Sequence, residues 1–507
     1  MRLPKHKTRI VCTIGPASQS PGTLERMMRQ GMDVARLNLA HGDIESHRST
    51  ITAIRQAAER VGRRVALLAD LPGPKLRVGR LPGDQMELER GQVVRLVAFA
   101  DGTADDSTQL SQLPEIPFNL PTLPASLKAG DDVFLDDGLI QLRIRDDPAQ
   151  RARPGGEGRG RLAKVLLGGT LRSRDGIALP GIDLDIPAFT TRDRDLLAFA
   201  LAEGIDAVGI SFVQGPEDVA MVRAAANSLG ADPFIIAKIE RARAMERVDS
   251  ILELADGLMV ARGDLGVDIP LERIAIAQKT LIGRANAAGR PVITATQMLE
   301  SMTVHRRPTR AEVTDVSNAI LDGTDCVMLS EETAMGSHPV EAVATMRRVA
   351  EATERHLSTA PPPPSNVVSV AGVLAQQAAV MADRLNVPYI IAPTETGATA
   401  RAIARVRPRA WIIAFSPSEE ACRRLQFSRG VYPVFVRREV DWHGIARRWC
   451  EEQGLKPGLA ILIQDNRRLE VIDLATRVGD RSAQHHSPPQ RRMSSDSPTP
   501  FRSPEHP

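Results

Sequence analysis

The sequence predicts an α/β protein built on a closed (β/α)8 TIM barrel. It adds a small all-β domain inserted after the third strand and an open-sheet α/β domain at the C-terminal end. Three observations carry this. Short apolar runs alternate with amphipathic runs eight times, the pattern of a parallel barrel ringed by helices. The alternation breaks once, between Asp70 and about Leu179, in a stretch rich in Gly and Pro. After a run of prolines at 361–364 it resumes in a shorter third unit.

The strand candidates are 9–13, 34–39, 65–69, 207–212, 234–239, 257–261, 291–295 and 326–329. Helical patterns follow nearly all of them, as at 21–30, 217–229 and 271–288. Gly31, Gly62, Gly230 and Gly289 sit where such helices stop. The interrupting stretch holds β-like segments at 92–99, 132–135, 139–144 and 161–167, and a glycine-rich run at 155–160 that reads as a hairpin tip. A β-domain hung from the mouth of a barrel is placed to act as a lid. The third unit alternates helix 371–385, strand 389–392, helix 398–406, strand 411–415, helix 419–426 and strand 431–436, with last strands at 459–464 and 469–474. The expected domains are a barrel of residues 1–71 and 180–357, an insert of 72–179, a C-terminal unit of 365–475 and a disordered Ser-, Pro- and Arg-rich tail of 476–507. His485 and His486 in the tail are adjacent histidines and carry no metal pattern.

Composition narrows the function. A chain of 507 residues has ample material for several cores. A net charge of +3 with 25% charged residues gives no reason to expect nucleic acid or a membrane surface as partner, and aromatics at 3% are too few for stacking on bases. Cys12, Cys326, Cys422 and Cys450 show no metal or redox spacing. The basic start lacks an apolar core, and no run is long enough to span a bilayer, so the expected location is cytoplasmic.

Chemistry-bearing residues collect at strand ends. Lys238 and Glu240 lie two apart on one strand and share a face. Asp264 follows Arg262-Gly263 after the next strand, and Thr296 follows the one after that. The C-terminal strand ends of a barrel converge on its working face. A lysine beside two carboxylates suits a divalent metal and a phosphoryl group. Plainer readings exist: a structural ion pair, a Schiff-base lysine, or a Gly-Asp helix cap. Gly263 allows close approach of backbone amides to an anion. Arg36 and Asn38 end the second strand on one face, and Arg36 can fork onto a phosphoryl group. Asp70 ends the third strand, and the Pro72-Gly73-Pro74 segment beyond it reads as a hinge, with Lys75 and Arg77 adding positive charge. In the third unit, Thr394, Thr396, Gly397 and Thr399 bridge a strand and a helix, where a phosphate pocket and a simple cap are equally good readings.

Several long motifs in order resemble the pyruvate kinase family from about Thr8 to Leu357, and more weakly to Val436. They are Cys12-Thr13-Ile14-Gly15-Pro16-Ala17-Ser18, Arg36-Leu37-Asn38, Asp136-Asp137-Gly138-Leu139-Ile140, Lys238-Ile239-Glu240, Met259 to Gly266, Ala295 to Ser301 and Arg307 to Glu312. The resemblance implies phosphoryl transfer from phosphoenolpyruvate to ADP, giving pyruvate and ATP. It implies that Glu240 and Asp264 hold Mg²⁺ or Mn²⁺ and that Lys238 stabilises the moving phosphoryl group and the enolate oxygen. It further implies that Gly263 and Asp264 amides hold the substrate carboxylate, that Arg36 contacts the phosphoryl group and that Thr296 lies near the carbon that is protonated. Arg77, His41, Pro16 and Asn38 match positions near the nucleotide. A homotetramer and a sugar-phosphate or AMP effector at Thr394–Thr399 are also implied.

Three departures stand out. Ala40 and Leu71 replace the Ser and Thr of the potassium site that otherwise retains Asn38 and Asp70, and Lys75 stands where potassium-dependent relatives carry Glu. An ammonium there can supply the charge of K⁺, so K⁺ is not expected to be required. Glu331 replaces a usual Gly, and the Gly- and Thr-rich loop expected between the last two strands is missing. Competing functions are another phosphoenolpyruvate or enolate barrel, such as a metal-dependent lyase, and a degenerate paralogue that senses phosphometabolites. The paired Asp136-Asp137 and the Arg307–Glu312 segment favour the kinase over the lyase.

Overall fold

The computed structural model describes residues 3–74, 76–98, 113–120, 126–136, 138–146, 160–182, 187–357, 369–437, 441–455, 458–464 and 467–475. Lys75, Asp137, most of the glycine-rich run, the proline run and the tail lie outside the described residues.

Eight parallel strands close a barrel in sequence order: β1 (Arg9–Thr13), β2 (Val34–Asn38), β3 (Ala66–Leu71), β4 (Ala207–Ile210), β5 (Phe234–Ile239), β6 (Gly257–Ala261), β7 (Val292–Ala295) and β8 (Cys326–Leu329). The two-residue period of each strand sorts its side chains. One set packs outward against the surrounding helices, as Ile235, Ala237 and Ile239 do on β5. The other points inward, where Val11, Val34, Leu68, Phe234, Ile236, Met259, Ile293 and Met328 fill the lower barrel. Continuing that inward set upward along β5 reaches Lys238 and then Glu240. The alternation that builds the core therefore also delivers charged groups to the rim. Gly62 and Gly289 end their helices in left-handed conformation.

The 207–212 strand stops two residues early, at Ile210, because Ser211 and Phe212 form a turn and Phe212 has φ 56°. The 271–288 helix divides into a single 3-10 turn, Leu271–Arg273, and an α-helix, Ile274–Ala288.

The insert leaves β3 through Pro72-Gly73-Pro74. Its main sheet has six strands in the order Ile177–Ala178, Asp132–Leu135, Ile140–Ile144, Arg161–Leu167, Val93–Ala98 and Glu115–Phe118; Gln85–Leu88 and Gly169–Arg172 form a separate pair. Leu96, Phe118, Val133, Leu142 and Val165 centre a core distinct from that of the barrel.

The third unit is a five-stranded sheet in the order Val431–Phe435, Trp411–Ser416, Tyr389–Ile391, Leu459–Gln464 and Arg468–Asp473, parallel except for the last pair. Gln464 pairs with Arg468, so only three residues join these two strands. This unit closes the barrel from below. Phe427 enters the barrel interior and stacks on Phe234, with ring centroids 5.6 Å apart and planes 11° from parallel. Arg9 Nε donates to the Ser428 carbonyl at 3.2 Å, and the Arg429 N–H donates to Asp325 at 3.2 Å. Among the described residues no helix is long and apolar enough to cross a membrane.

Candidate active site

At the upper rim, inward positions of neighbouring strands bring together Thr13 (β1), Arg36 (β2), Asp70 (β3), Ser211 (just past β4), Lys238 (β5) and Glu240 (just past β5). Asp70 is the hub. Its Oδ2 accepts from Arg36 Nε at 2.8 Å and also from Arg36 Nη2, while its Oδ1 lies 3.2 Å from Lys238 Nζ. Arg36 Nη1 donates to Thr13 Oγ1 at 2.9 Å. Lys238 Nζ also reaches Glu240 Oε1 at 2.9 Å and donates to Ser211 Oγ at 2.8 Å. Gly209 on β4 makes room for the hub, since a Cβ there would stand 3.0 Å from Asp70 Oδ1.

These charges set one another. Burial disfavours the Asp70 carboxylate, but Lys238 and Arg36 outweigh burial and hold Asp70 below its ordinary pKa. Burial would likewise lower the Lys238 ammonium, yet Asp70 and Glu240 hold it above its ordinary value, so it is a permanent cation. Burial raises Glu240, the Lys238 charge opposes this, and Asp264 adds to the rise. Glu240 and Asp264 are thus a repelling pair of hard oxygen donors short of positive charge, which is the donor chemistry of a divalent cation. Asp264 is exposed at the rim, on the first turn of the Arg262–Asp268 helix. Among the described residues no group of three or more His, Cys, Asp or Glu side chains forms a closed metal cage. The donor set fits a metal whose other positions go to substrate and water.

Thr296 is held in an uncommon left-handed conformation, φ 68°, with Gln297 at 54°. Its Oγ1 accepts from the Gly263 N–H at 2.7 Å and donates to the Ala295 carbonyl at 2.6 Å. The Gly263 amide, read from sequence as open to an anion, is therefore engaged by Thr296. Arg262 fastens this turn: its guanidinium donates to the Ala295 carbonyl at 3.2 Å, the Thr296 carbonyl at 2.7 Å and Asp315 at 2.7 Å.

The remaining sequence-derived positions spread outward. Pro16 and His41 are exposed beyond the ends of β1 and β2. Asn38 Oδ1 accepts from the Ala40 N–H at 3.2 Å, and the Leu71 carbonyl accepts from Ser211 Oγ at 2.7 Å. Arg77 belongs to the insert, where it donates to the Arg174 carbonyl at 2.8 Å. Glu331 is exposed at the start of a short helix after β8. In the third unit, Thr394 Oγ1 accepts from the Gly397 N–H at 3.0 Å; Thr399 is buried and Thr396 exposed. The helix that follows, Ala398–Ala404, has no side-chain cap, and Arg401 reaches back to the Thr396 carbonyl at 3.3 Å. Sequence reasoning missed Ser211, Phe212 and the clamp made by Arg262. Arg262 stood beside Gly263-Asp264 in a motif already singled out, while the Ser211-Phe212 turn left no signal beyond its place at a strand end.

A barrel rim carrying a buried cation, two acidic oxygen donors and a fixed hydroxyl, beneath an inserted β-domain, defines a metal-assisted phosphotransferase of the barrel class. Family profiles described as "Pyruvate kinase, barrel domain" and "Pyruvate kinase, alpha/beta domain" match residues 5–343 and 373–465. Pyruvate kinase of Thermococcus litoralis is 45% identical over 476 residues, covering 92% of this chain and 95% of the relative. That of Geobacillus stearothermophilus is 43% identical over 434 residues, covering 84% and 71%. A crystal structure of a pyruvate kinase from Cryptosporidium parvum superposes with a TM-score of 0.82 at 36% identity, covering 93% of this chain and 96% of that one. The chain belongs to the pyruvate kinase family.

Proposed function

We propose that the enzyme transfers the phosphoryl group of phosphoenolpyruvate to ADP at this rim, giving pyruvate and ATP as the last step of glycolysis. The observation that carries the reading is the Lys238 ammonium held between Asp70 and Glu240 beside Asp264. Phosphoryl transfer is mostly positioning and charge neutralisation. Lys238 sits ready as a fixed cation for the moving phosphoryl group and the enolate oxygen, at no reorganisation cost. Arg36, pinned by Asp70 and Thr13, presents its remaining edge to the phosphoryl group. The Asp264 amide orients the substrate carboxylate, and Thr296, which holds the Gly263 amide, lies by the carbon that gains a proton. Pro16, Asn38, His41 and Arg77 line the approach of the nucleotide. Mg²⁺ or Mn²⁺, held by Glu240 and Asp264, supplies further positive charge on the phosphoryl oxygens when bound. Formation of pyruvate and ATP from phosphoenolpyruvate, ADP and Mg²⁺ in a coupled assay tests the reading; ligand binding without turnover overturns it in favour of a sensor.

The enzyme works without K⁺. Asp70 already carries two protein cations, the Leu71 carbonyl is taken by Ser211, Asn38 is taken by the Ala40 amide, and Ala40 has no hydroxyl to offer. Lys75 brings one more positive charge. Equal turnover in potassium and tetramethylammonium salts is the expected result, and strong activation by K⁺ refutes it. A sugar phosphate or AMP acts at the Thr394–Thr399 turn; unchanged kinetics across a panel of these compounds removes that assignment. The chain acts in the cytoplasm as a homotetramer. A monomer mass by light scattering excludes the tetramer.

A further inference from the structure

We infer that Phe212 is a positioning residue that ties the Glu240 carboxylate to the hinge of the inserted β-domain. The inference rests on the reading of Glu240 as a metal ligand. Phe212 has φ 56°, a conformation uncommon for an aromatic residue and one that persists only where its surroundings over-determine it. Two sets of contacts do so here. On the backbone side, its N–H donates to Glu240 Oε2 at 2.7 Å, the oxygen that Lys238 does not hold. On the side-chain side, the ring abuts the hinge: a Cβ added to Gly73 would lie 3.0 Å from Phe212 Cδ2. The Arg241 guanidinium covers the ring at 5.5 Å, and Arg241 is itself 3.5 Å from Asp268.

The ring also borders a cavity of about 140 Å³ whose other walls include Pro74 and Leu76, where the chain enters the insert, Ile182, just past its end, and Arg241 from the barrel. Residues at both chain crossings between barrel and insert therefore border the same space as this ring. The ring and the N–H share one left-handed backbone, so a hinge movement that pushes the ring hard enough to shift that backbone also displaces the N–H relative to Glu240. Closing the insert over the substrate and orienting the metal-binding carboxylate become one event. Hydrogen-bonding partners of a ligating carboxylate set metal affinity in this way, and their loss costs about 10–100-fold.

Mn²⁺ binding to the full-length, metal-stripped enzyme, followed by the electron paramagnetic resonance signal of free Mn²⁺, tests this without turnover. Phe212→Gly keeps the N–H and accepts the left-handed backbone but removes the ring. It should weaken Mn²⁺ about tenfold, with Phe212→Leu recovering much of the loss. Gly73→Ala, which pushes on the ring from the hinge, should also weaken Mn²⁺ in the wild-type background. The added Cβ also meets Ser211 at 3.3 Å in a left-handed backbone position, so only the part of the loss carried by the ring should vanish once Phe212 is Gly, leaving the two changes less than additive. Gly73→Ala leaves Phe212 in place, so the test survives if Phe212→Gly does not fold. Glu240→Gln separates the two readings. Wild-type Mn²⁺ affinity in Glu240→Gln removes the ligand assignment itself. Weak binding in Glu240→Gln with wild-type affinity in Phe212→Gly, or additive effects of the Gly73 and Phe212 changes, overturns the coupling alone.

Discussion

Replacing Lys238 with Met removes one charge while keeping the length and apolar stem of the side chain, so the consequences can be apportioned. Lys238 Nζ lies 2.8 Å from Ser211 Oγ, 2.9 Å from Glu240 and 3.2 Å from Asp70. Asp70 keeps the Arg36 fork after the substitution. Glu240 keeps only the Phe212 N–H and still faces Asp264. Breaking a buried ion pair from one side costs about 3–5 kcal/mol. Without the Lys238 charge that opposes it, the rise in the Glu240 pKa is larger, so the loss of stability shrinks as pH falls. The catalytic cost is separate. One preorganised group facing developing charge contributes about 2.7–4 kcal/mol, so kcat should fall by about 10²–10³-fold or more. The KM for phosphoenolpyruvate should change far less, because Arg36 and the Asp264 amide, the proposed binding groups, are left in place. Steady-state turnover coupled to NADH oxidation gives the first quantity, and calorimetric titration of substrate with metal present gives the second. A variant that melts like wild type and turns over within tenfold of it refutes the assignment of Lys238 to the reacting atoms.

Other outcomes follow from the same geometry. Arg262→Ala frees the Ala295 and Thr296 carbonyls and the left-handed Thr296 turn; urea unfolding should show a loss of about 3 kcal/mol, accompanied by a drop in kcat that Arg262→Lys does not restore, because one ammonium cannot span the same acceptors. Phe427→Ala empties the base of the barrel far from the rim; it should cost about 3–5 kcal/mol in the same assay with kcat per folded molecule unchanged, and an unaffected melting curve contradicts the plug. The raised Glu240 pKa fixes the sign of a pH effect. The acid form of Glu240 is favoured more in the folded, metal-free protein than in the unfolded chain, so that contribution to stability is present at low pH and lost as pH rises through the folded value, whereas metal binding needs the carboxylate. The Mg²⁺ concentration for half-maximal turnover should therefore climb as the pH is lowered through that value, and a flat dependence argues against Glu240 as the ligand.

What the sequence discloses about this molecule, and what it withholds, divides along contact range. All eight barrel strands are legible because each is a short apolar run between helical patterns, a signal contained in neighbouring residues. Lys238 and Glu240 are legible because a strand's period of two places both on the face that Phe234 and Ile236 use for the core. The Phe212 turn is not: a left-handed phenylalanine has no local signature, and the strand therefore reads two residues too long. Phe427 is equally hidden, since it fills the barrel from a unit nearly 200 residues further along the chain than its stacking partner Phe234. The same holds for the Arg36, Asp70 and Lys238 cluster. Its members are visible singly as charges at strand ends, but closure of the barrel alone makes Asp70 a shared counter-ion. That sharing has a functional consequence. A carboxylate already bound to two protein cations has less to offer a solvent cation, which is the ground for the proposed independence of potassium and makes turnover in potassium and tetramethylammonium salts a test of the hub as well as of the site.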